Sequence, residues 1–450
     1  MMKNKILALY LGFLPLLATA QNPIIQTKYT ADPAPMVHND TLFLYVGCDE
    51  KDAPSNAYLM REYDMVNWTD CGAPLKTSDF KWSAGDASAA QCIERDGKFY
   101  WYISSQNRFS PGSSIGVAVA DTPYGPFRDA LGQALVTNDM TTAAKHSWDD
   151  LDPTVFIDSN KQAYLYWGNG ACYQAKLNKD MISLDGSITA LDIKDQTAFV
   201  GRFTEAPWVY KRNNLYYMIY AAEFPESIHY STARTAEGPW KARGVVMPLE
   251  KGSNTNHPGI IDFKGNSYFF YHNDALPGGH SYCRLVCVEQ FTYNPDGTIP
   301  QMHMTNEGIK KGTGTLNPYK RTEAETIAWA QGVTSATDKE KGVYITAIHN
   351  TDYIKVRDVN FGQKGASQFT ASASSRYHGG EIELRIDSPE GEVIGTLNIP
   401  YTGEWDNWEQ HSTHVKPVKG VHDLYLIFKG KTPHELFNFD YWMFSEKSSN

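Results

Sequence analysis

The sequence predicts an all-β chain: a five-bladed β-propeller followed by a β-sandwich of jelly-roll type. Three observations carry this. Long amphipathic helical patterns are hard to find, whereas short runs rich in Tyr, Val, Ile and Phe alternate with turns of Asn, Asp and Gly. Five strand–turn–strand units resemble one another and begin at residues 32, 89, 152, 205 and 257, in steps of 57, 63, 53 and 52 residues. Beyond residue 320 that period stops and a different alternating pattern begins.

In chain order, residues 1–20 read as a secretory signal. Lys3 and Lys5 precede an apolar run from Ile6 to Leu17, and Ala18-Thr19-Ala20 sets the expected cleavage before Gln21. The mature protein is therefore expected to be secreted or periplasmic. No other apolar run reaches the ~18 residues a spanning helix needs, so no membrane span is expected.

The five units follow, in a region expected to cover residues 21–312. Asp32-Pro33-Ala34-Pro35 leads into Leu42-Phe43-Leu44-Tyr45, and Ala89-Ala90-Gln91-Cys92 into Phe99-Tyr100-Trp101-Tyr102. Asp152-Pro153-Thr154-Val155 leads into Tyr164-Leu165-Tyr166, and Glu205-Ala206-Pro207-Trp208 into Tyr216-Tyr217-Met218. His257-Pro258-Gly259-Ile260 leads into Tyr268-Phe269-Phe270-Tyr271. Each is a hairpin closed by residues that tolerate positive φ. A period near 50 built of hairpins is a propeller signature, with about four strands per blade. Residues 313–320, rich in Gly, Thr, Asn and Pro, read as a linker. Residues 321–450 then supply the sandwich, with strands at 353–356, 366–374, 381–386, 424–428 and 439–444.

Composition narrows the function. Lys+Arg total 41 against 51 Asp+Glu, a net charge of −10, which argues against a nucleic-acid partner. Aromatics make up 13% of the chain, including 27 Tyr and 11 Trp, a surplus suited to stacking on sugar rings. The six cysteines contain no Cys-x-x-Cys pair, which disfavours zinc and leaves disulfides and buried thiols equally open.

In a propeller the innermost strands meet at one channel, so residues at their starts converge. Here those residues are Asp32, Ala89, Asp152, Glu205 and His257. Two carboxyl groups across a cleft are the equipment for breaking a glycosidic bond: one protonated to release the leaving oxygen, one ionised to activate water. Asp32 and Glu205, on the first and fourth units, form the natural pair. Pro207 and Trp208 give Glu205 an apolar setting that favours the protonated form, and Asp152 adds like-charge repulsion. His257 has three readings: sugar contact, metal ligation in the channel, or satisfying buried polar groups. Arg284, after Gly278-Gly279, is expected to reach a sugar oxygen or a carboxylate, with a surface role as the alternative. His272 is expected to serve packing. No His-Glu-x-x-His zinc spacing occurs.

The stretches Thr30-Ala31-Asp32-Pro33-Ala34, Asp152-Pro153-Thr154-Val155-Phe156 and Thr204-Glu205-Ala206-Pro207-Trp208 resemble the three catalytic motifs of glycoside hydrolase family 43. The resemblance implies an inverting five-bladed propeller with Asp32 as general base, Asp152 as pKa modulator and Glu205 as general acid. Gly85–Gln91, Asn256–Ile260 and Tyr293–Gly297 resemble the branch containing arabinoxylan arabinofuranohydrolases. Ser88 stands where many members of the wider family carry Trp. Removal of α-L-arabinofuranosyl branches from arabinoxylan or a related plant cell-wall polysaccharide is thus the leading expectation, β-D-xylosidase activity the close rival, and non-catalytic polysaccharide binding the rival from another class.

The last region resembles carbohydrate-binding module family 6 through Glu323-Ala324-Glu325, Thr351-Asp352-Tyr353-Ile354, Thr402–Trp408 and Asn438–Trp442. The resemblance implies a structural calcium on Glu323, Glu325 and Asp440, hard oxygen ligands suited to that ion. It also implies a sugar cleft using Trp405 and Asn438. The family's second aromatic ring falls on Ala347, with Tyr344 or His349 as possible substitutes. No cofactor is expected for the chemistry itself.

Overall fold

Backbone hydrogen bonding sorts the hairpins into separate antiparallel sheets arranged as blades. The computed structural model describes residues 21–49, 64–250 and 252–446, together with the main chain of 56–62. The expected signal segment lies outside the described residues. The first four blades each begin with an inner strand: Thr30–His38, Ala90–Arg95, Thr154–Ile157 and Phe203–Arg212. The fifth comprises Gly259–Phe263, Asn266–Asn273 and Leu285–Phe291 among the described residues. Each inner strand pairs with the aromatic strand that follows it in sequence, as the hairpin reading requires.

Why the ring closes can be read from what lies between blades. The wide second strands alternate, so each blade offers apolar residues to both neighbours. Tyr45, Trp101 and Phe127 interlock edge to face between the first two blades, with ring centres 4.6 and 5.0 Å apart. The inner strands are also tied to one another. Thr154 Oγ1 donates to Gln91 Oε1 at 3.1 Å, Trp208 Nε1 donates to the Ile260 carbonyl at 3.1 Å, and the Ala206 N–H donates to Asp152 Oδ2 at 3.1 Å. Residues 21–25 help seal the junction between fifth and first blades. Ile24 N–H bonds the Val286 carbonyl at 2.9 Å, and its side chain joins an apolar cluster with Leu42, Leu44, Phe270 and Val288.

The C-terminal unit is two packed sheets. One contains the strands Thr334–Asp338, Gly342–Thr346, Asn438–Glu446, Ala366–Ser374 and Glu409–His414, with Thr322–Glu323 added at the side. The other contains Trp329–Gln331, Tyr353–Asn360, Val421–Lys429, Gly380–Ile386 and Val393–Ile399. Their facing sides bury a single core that includes Ile354, Phe369, Leu384, Leu426, Phe439 and Trp442.

The two units are joined by more than a tether. Thr326–Ile327 pairs with Trp68–Asp70, so the sandwich covers an exposed edge of the first blade. Arg357 donates to Gln21 Oε1 at 2.8 Å and to the carbonyls of Ile309 and Lys310. The intervening segment is itself held: Thr313 N–H bonds the Asp64 carbonyl and Leu316 N–H the Asp358 carbonyl. Cys92, Cys172 and Cys287 are buried free thiols.

Close approach of the first and fifth inner strands sets a strict size limit. A Cβ at Gly259 would sit 2.6 Å from the Pro33 carbonyl oxygen and 2.7 Å from Pro35 Cδ, both immediately beside Asp32. Gly259→Ala is therefore expected to lower stability by about 1–3 kcal/mol through overpacking. It should also reduce kcat by shifting the strand that bears Asp32. Thermal unfolding and steady-state kinetics on the same preparation check both.

Candidate active site

The carboxyl groups at the channel mouth are positioned by local irregularities in the inner strands. Asp32 lies where the first strand pair shifts register between Ala31 and Ala34, and its own φ is 55°. Glu205 sits between two register shifts, and Ala206 beside it has φ 59°. Asp152, just before its strand, has φ 57°. Positive φ is costly for a residue with a Cβ, and bulges re-aim side chains. The same device at three blades turns these side chains toward the shared channel instead of into the blade cores.

The structure brings together the residues the sequence singled out. Asp32 is buried and bound by Arg284, whose Nη1 donates to Oδ1 at 2.9 Å and Nη2 to Oδ2 at 3.3 Å. The opposite side of the same guanidinium grips Asp49, at 2.7 and 3.0 Å. Of the readings open for Arg284, the carboxylate contact is the one observed. His257 Nδ1 lies 3.8 Å from Asp32 Oδ1 and His272 Nδ1 lies 3.7 Å from the same oxygen. His272, expected to serve packing, is fully buried and also receives the Asp32 main-chain N–H at 3.5 Å.

Burial pushes the Asp32 carboxyl up, but Arg284, followed by the two histidines, outweighs it and holds the group below the ordinary carboxylate range. Burial drives His257 down to about 4 and His272 down to about 3. Both rings are therefore neutral at neutral pH, and Arg284 is the cation that acts on Asp32 there. Glu205 is shifted the other way, by burial first and then by the Asp32 charge, with Arg284 and an Asn169 hydrogen bond opposing. Asp152 is raised by burial, then by Glu205 and Asp32. One cluster thus contains a carboxyl whose ionised form is favoured and others whose protonated form is favoured, which is the division of labour an acid–base pair needs.

Two participants were not anticipated. Asn169 donates from Nδ2 to Glu205 Oε2; it sits on the loop after Ala163–Trp167, and a lone Asn in a turn gives no sequence signal. Glu226 is a fourth acid, almost fully buried, and accepts the Asn256 N–H at Oε2 at 2.6 Å. Burial and then Glu205 push it up to about 10. It lies in the turn after a second strand, not at the start of an inner one, so the register argument did not reach it.

Around the mouth, Trp148 and Phe224 are more than half exposed. Trp148 stacks on His146 with ring centres 4.2 Å apart. A neighbouring groove of about 720 Å³ is lined by Asn169, Lys194, Arg202, Phe203, Thr204 and Glu223. Exposed rings beside a polar cleft are the surface a sugar chain stacks on.

In the sandwich, Asn438 is buried: Thr346 donates to its Oδ1 at 2.7 Å, and its Nδ2 donates to the Trp405 carbonyl at 3.3 Å. Its visible work is to hold the Trp405 loop. The ring beside Trp405 is Tyr377, 5.7 Å away and edge-on at 87°. Neither proposed substitute takes that place: Tyr344 packs against Trp408, and His349 is tied to the Ala347 carbonyl. Arg321 bridges Glu323 at 2.8 Å and Asp440 at 3.3 Å, and Ser372 donates to Asp440 Oδ2 at 3.1 Å. Glu325 is buried with Oε2 lacking a hydrogen-bond partner, and burial pushes it up to about 9. Among the described residues no group of three His, Cys, Asp or Glu side chains is arranged to hold a metal ion.

A propeller whose channel mouth gathers one carboxyl shifted toward ionisation and several shifted toward protonation, joined to a β-sandwich, has the layout of a glycoside hydrolase with an accessory module. Comparison with known proteins agrees: residues 20–299 match the glycosyl hydrolases family 43, and residues 323–446 match the carbohydrate binding module family 6. The chain belongs to glycosyl hydrolase family 43. It is 30% identical to an arabinoxylan arabinofuranohydrolase of Bacillus subtilis, over 95% of this chain and 92% of that protein. A crystal structure of a Bacillus subtilis arabinoxylan arabinofuranohydrolase in complex with cellotetraose superposes with a TM-score of 0.83 at 30% identity, covering 95% of this chain and 98% of the other. A xylosidase/arabinosidase of Humicola insolens is 29% identical over 62% of this chain and 98% of its own length. Membership in a hydrolase family sets aside the reading as a non-catalytic binding protein.

Replacing Arg284 by Met should raise both ionisations, because Arg284 lowers Asp32 and Glu205 alike. The acidic limb of kcat/KM is expected to move up by about 1–3 pH units, with the basic limb moving in the same direction. A pH–rate profile of the variant checks the sign.

Proposed function

We propose that the enzyme removes α-L-arabinofuranosyl side chains from arabinoxylan or a related plant polysaccharide, with inversion. The observation that carries this reading is the pairing of Asp32, gripped by Arg284 and shifted down, with Glu205, shifted up by burial, at one channel mouth. Glu205 gives its proton to the glycosidic oxygen. Asp32, kept ionised by Arg284, takes a proton from the water that attacks the anomeric carbon from the opposite face. Asp152 accepts the Ala206 N–H, which fixes the main chain beside Glu205. His257, neutral and 3.8 Å from the base, is placed to bond a substrate hydroxyl. Exposed Trp148 and Phe224 supply stacking surface for the polysaccharide backbone. The likeness to the Bacillus subtilis arabinofuranohydrolase along nearly the whole chain favours arabinose as the sugar released. The Humicola insolens relative, named for both activities, favours β-D-xylosidase as the second reading.

Residues 321–450 are proposed as a module that holds the enzyme on its polymer, with Trp405 as the stacking ring. Calcium is proposed as its structural ion. Glu325 carries an orphaned buried oxygen, and Glu323 and Asp440 are hard donors near enough to raise its carboxyl; to hold the ion the three would draw together with Arg321 displaced. The bound ion would supply charge neutralisation and no chemistry. An exported location follows from the basic, apolar and Ala-x-Ala pattern of residues 1–20. No helix of the described chain is long and apolar enough to cross a membrane.

Three experiments test these assignments. Wheat arabinoxylan and linear xylo-oligosaccharides, incubated with the mature chain, should yield arabinose from the first and nothing from the second; xylose from the oligosaccharides would move the assignment to xylosidase. Glu205→Ala should lower kcat on the polymer by roughly 10²–10⁴-fold, the range of general acid catalysis. Calcium at saturating concentration should raise the melting temperature of the wild type but not of Glu325→Gln, a gain of about 2.7 kcal/mol at one hundred times Kd. A wild type indifferent to calcium and to chelator would leave Glu325 as a buried neutral acid.

A further inference from the structure

We propose that Glu226 is a positioning residue for the reaction: a carboxylic acid that keeps its proton, donates it as a hydrogen bond to Glu205 and holds that group on the glycosidic oxygen. The inference rests on Glu205 being the general acid. Its basis is where Glu226's two oxygens point. Glu226 lies in the turn between Leu215–Ala222 and Ser227–Ala233, the two strands that follow the Glu205 strand in the same blade. Its main-chain N–H bonds the Asn254 carbonyl at 2.9 Å, so the turn is pinned to the segment that precedes the fifth blade. Oε2 accepts the Asn256 N–H at 2.6 Å. Oε1 is buried and receives no N–H or hydroxyl.

Glu205 is the neighbouring carboxyl within hydrogen-bonding reach of Glu226. Two carboxylates cannot bond, since both are acceptors only; a proton has to lie between them. Oε2 already faces a donor, so the proton belongs on Oε1, the oxygen left without a partner. Ionisation of Glu205 or Asp152 would further disfavour a negative charge on Glu226. Arg284, the cation in this cluster, engages Asp32 and Asp49.

The proton count is simple. As the glycosidic bond breaks, Glu205 passes its proton to the leaving oxygen and becomes a carboxylate. Glu226 transfers nothing; its O–H bond strengthens against the new charge, so it favours the transition state over the ground state. Asn169 on Glu205 Oε2 acts from the neighbouring blade, and together the two donors fix the rotation of the carboxyl.

The test compares Glu226→Ala, Glu226→Gln and Glu205→Ala in the full mature chain, on the natural glycoside and on the dinitrophenyl glycoside of the same sugar, whose leaving group needs no proton. Glu226→Ala should lower kcat on the natural glycoside about 10- to 100-fold, the value of one hydrogen bond to a charged group, with little loss on the aryl substrate. Glu226→Gln, whose amide both accepts from Asn256 and donates to Glu205, should restore most of that loss. Equal losses on both substrates, or a Gln variant as poor as the Ala variant, would overturn the role. If Glu205→Ala splits the substrates and Glu226→Ala does not, only the Glu226 inference falls; if Glu205→Ala fails to split them, the general-acid assignment falls first. Folding supplies an independent readout. The folded chain holds the Glu226 proton up to about pH 10, whereas an unfolded Glu releases it near 4.5, so stability drains as pH rises between those values. The melting temperature of Glu226→Gln relative to wild type should therefore climb from pH 5 to pH 9; a flat difference would show that Glu226 is ionised and would overturn the proposal.

Discussion

One buried guanidinium holds this site together. Arg284 is clamped by Asp32 on one side and Asp49 on the other, and it faces a cluster that also contains Asp152, Glu205 and Glu226. The two nearby histidines are neutral, so they add no positive charge at neutral pH. A single cation cannot balance five carboxylates withdrawn from water, where unpaired charge is expensive. The balance therefore favours retained protons. Which carboxyl ionises most readily follows from contact: Asp32 touches Arg284 and is shifted down, while Glu205, Asp152 and Glu226 face one another and are shifted up. General base and general acid are consequences of the same charge balance.

That balance depends on the ring. No two of the central acids are close in sequence, and each is delivered by a different blade or turn. Strain at Asp32, Asp152 and Ala206, all at positive φ, is tolerated because the flanking strands are locked between buried aromatic layers. A continuous path also links acid to base: Glu226 to the Asn256 N–H, Asn256 Oδ1 to the His272 N–H, and His272 to Asp32. The segment 254–257 therefore supports both sides of the cleft.

Much of this was legible in the sequence. The hairpin period located all five inner strands, and the register of their first residues placed Asp32, Asp152, Glu205 and His257 at one end of the channel. Equivalent positions of a repeat converge whatever the details of packing, so that inference needed no contacts. Asn169 and Glu226 belong to a loop and a turn whose course is fixed by tertiary hydrogen bonds, and a repeat says nothing about those. The sandwich shows the same divide. Its alternating strands were readable, but the partner of Trp405 is Tyr377, from a loop separated by about thirty residues, and a search by offset from Tyr353 had no means of finding it. The segment 313–320 has linker composition and yet is bonded on both sides, because its Thr313 and Leu316 N–H groups donate to the Asp64 and Asp358 carbonyls.

The account stands on Asp32 activating water while Glu205 donates a proton, with no covalent intermediate. The most direct measurement is the anomeric configuration of the first sugar released, followed by proton NMR before mutarotation sets in. Inversion at the anomeric carbon is the expected result, as for two carboxyls about 6.5–9.5 Å apart with a water between them. A product that first appears with the configuration of the substrate would require one of these acids to act as nucleophile and would contradict the account.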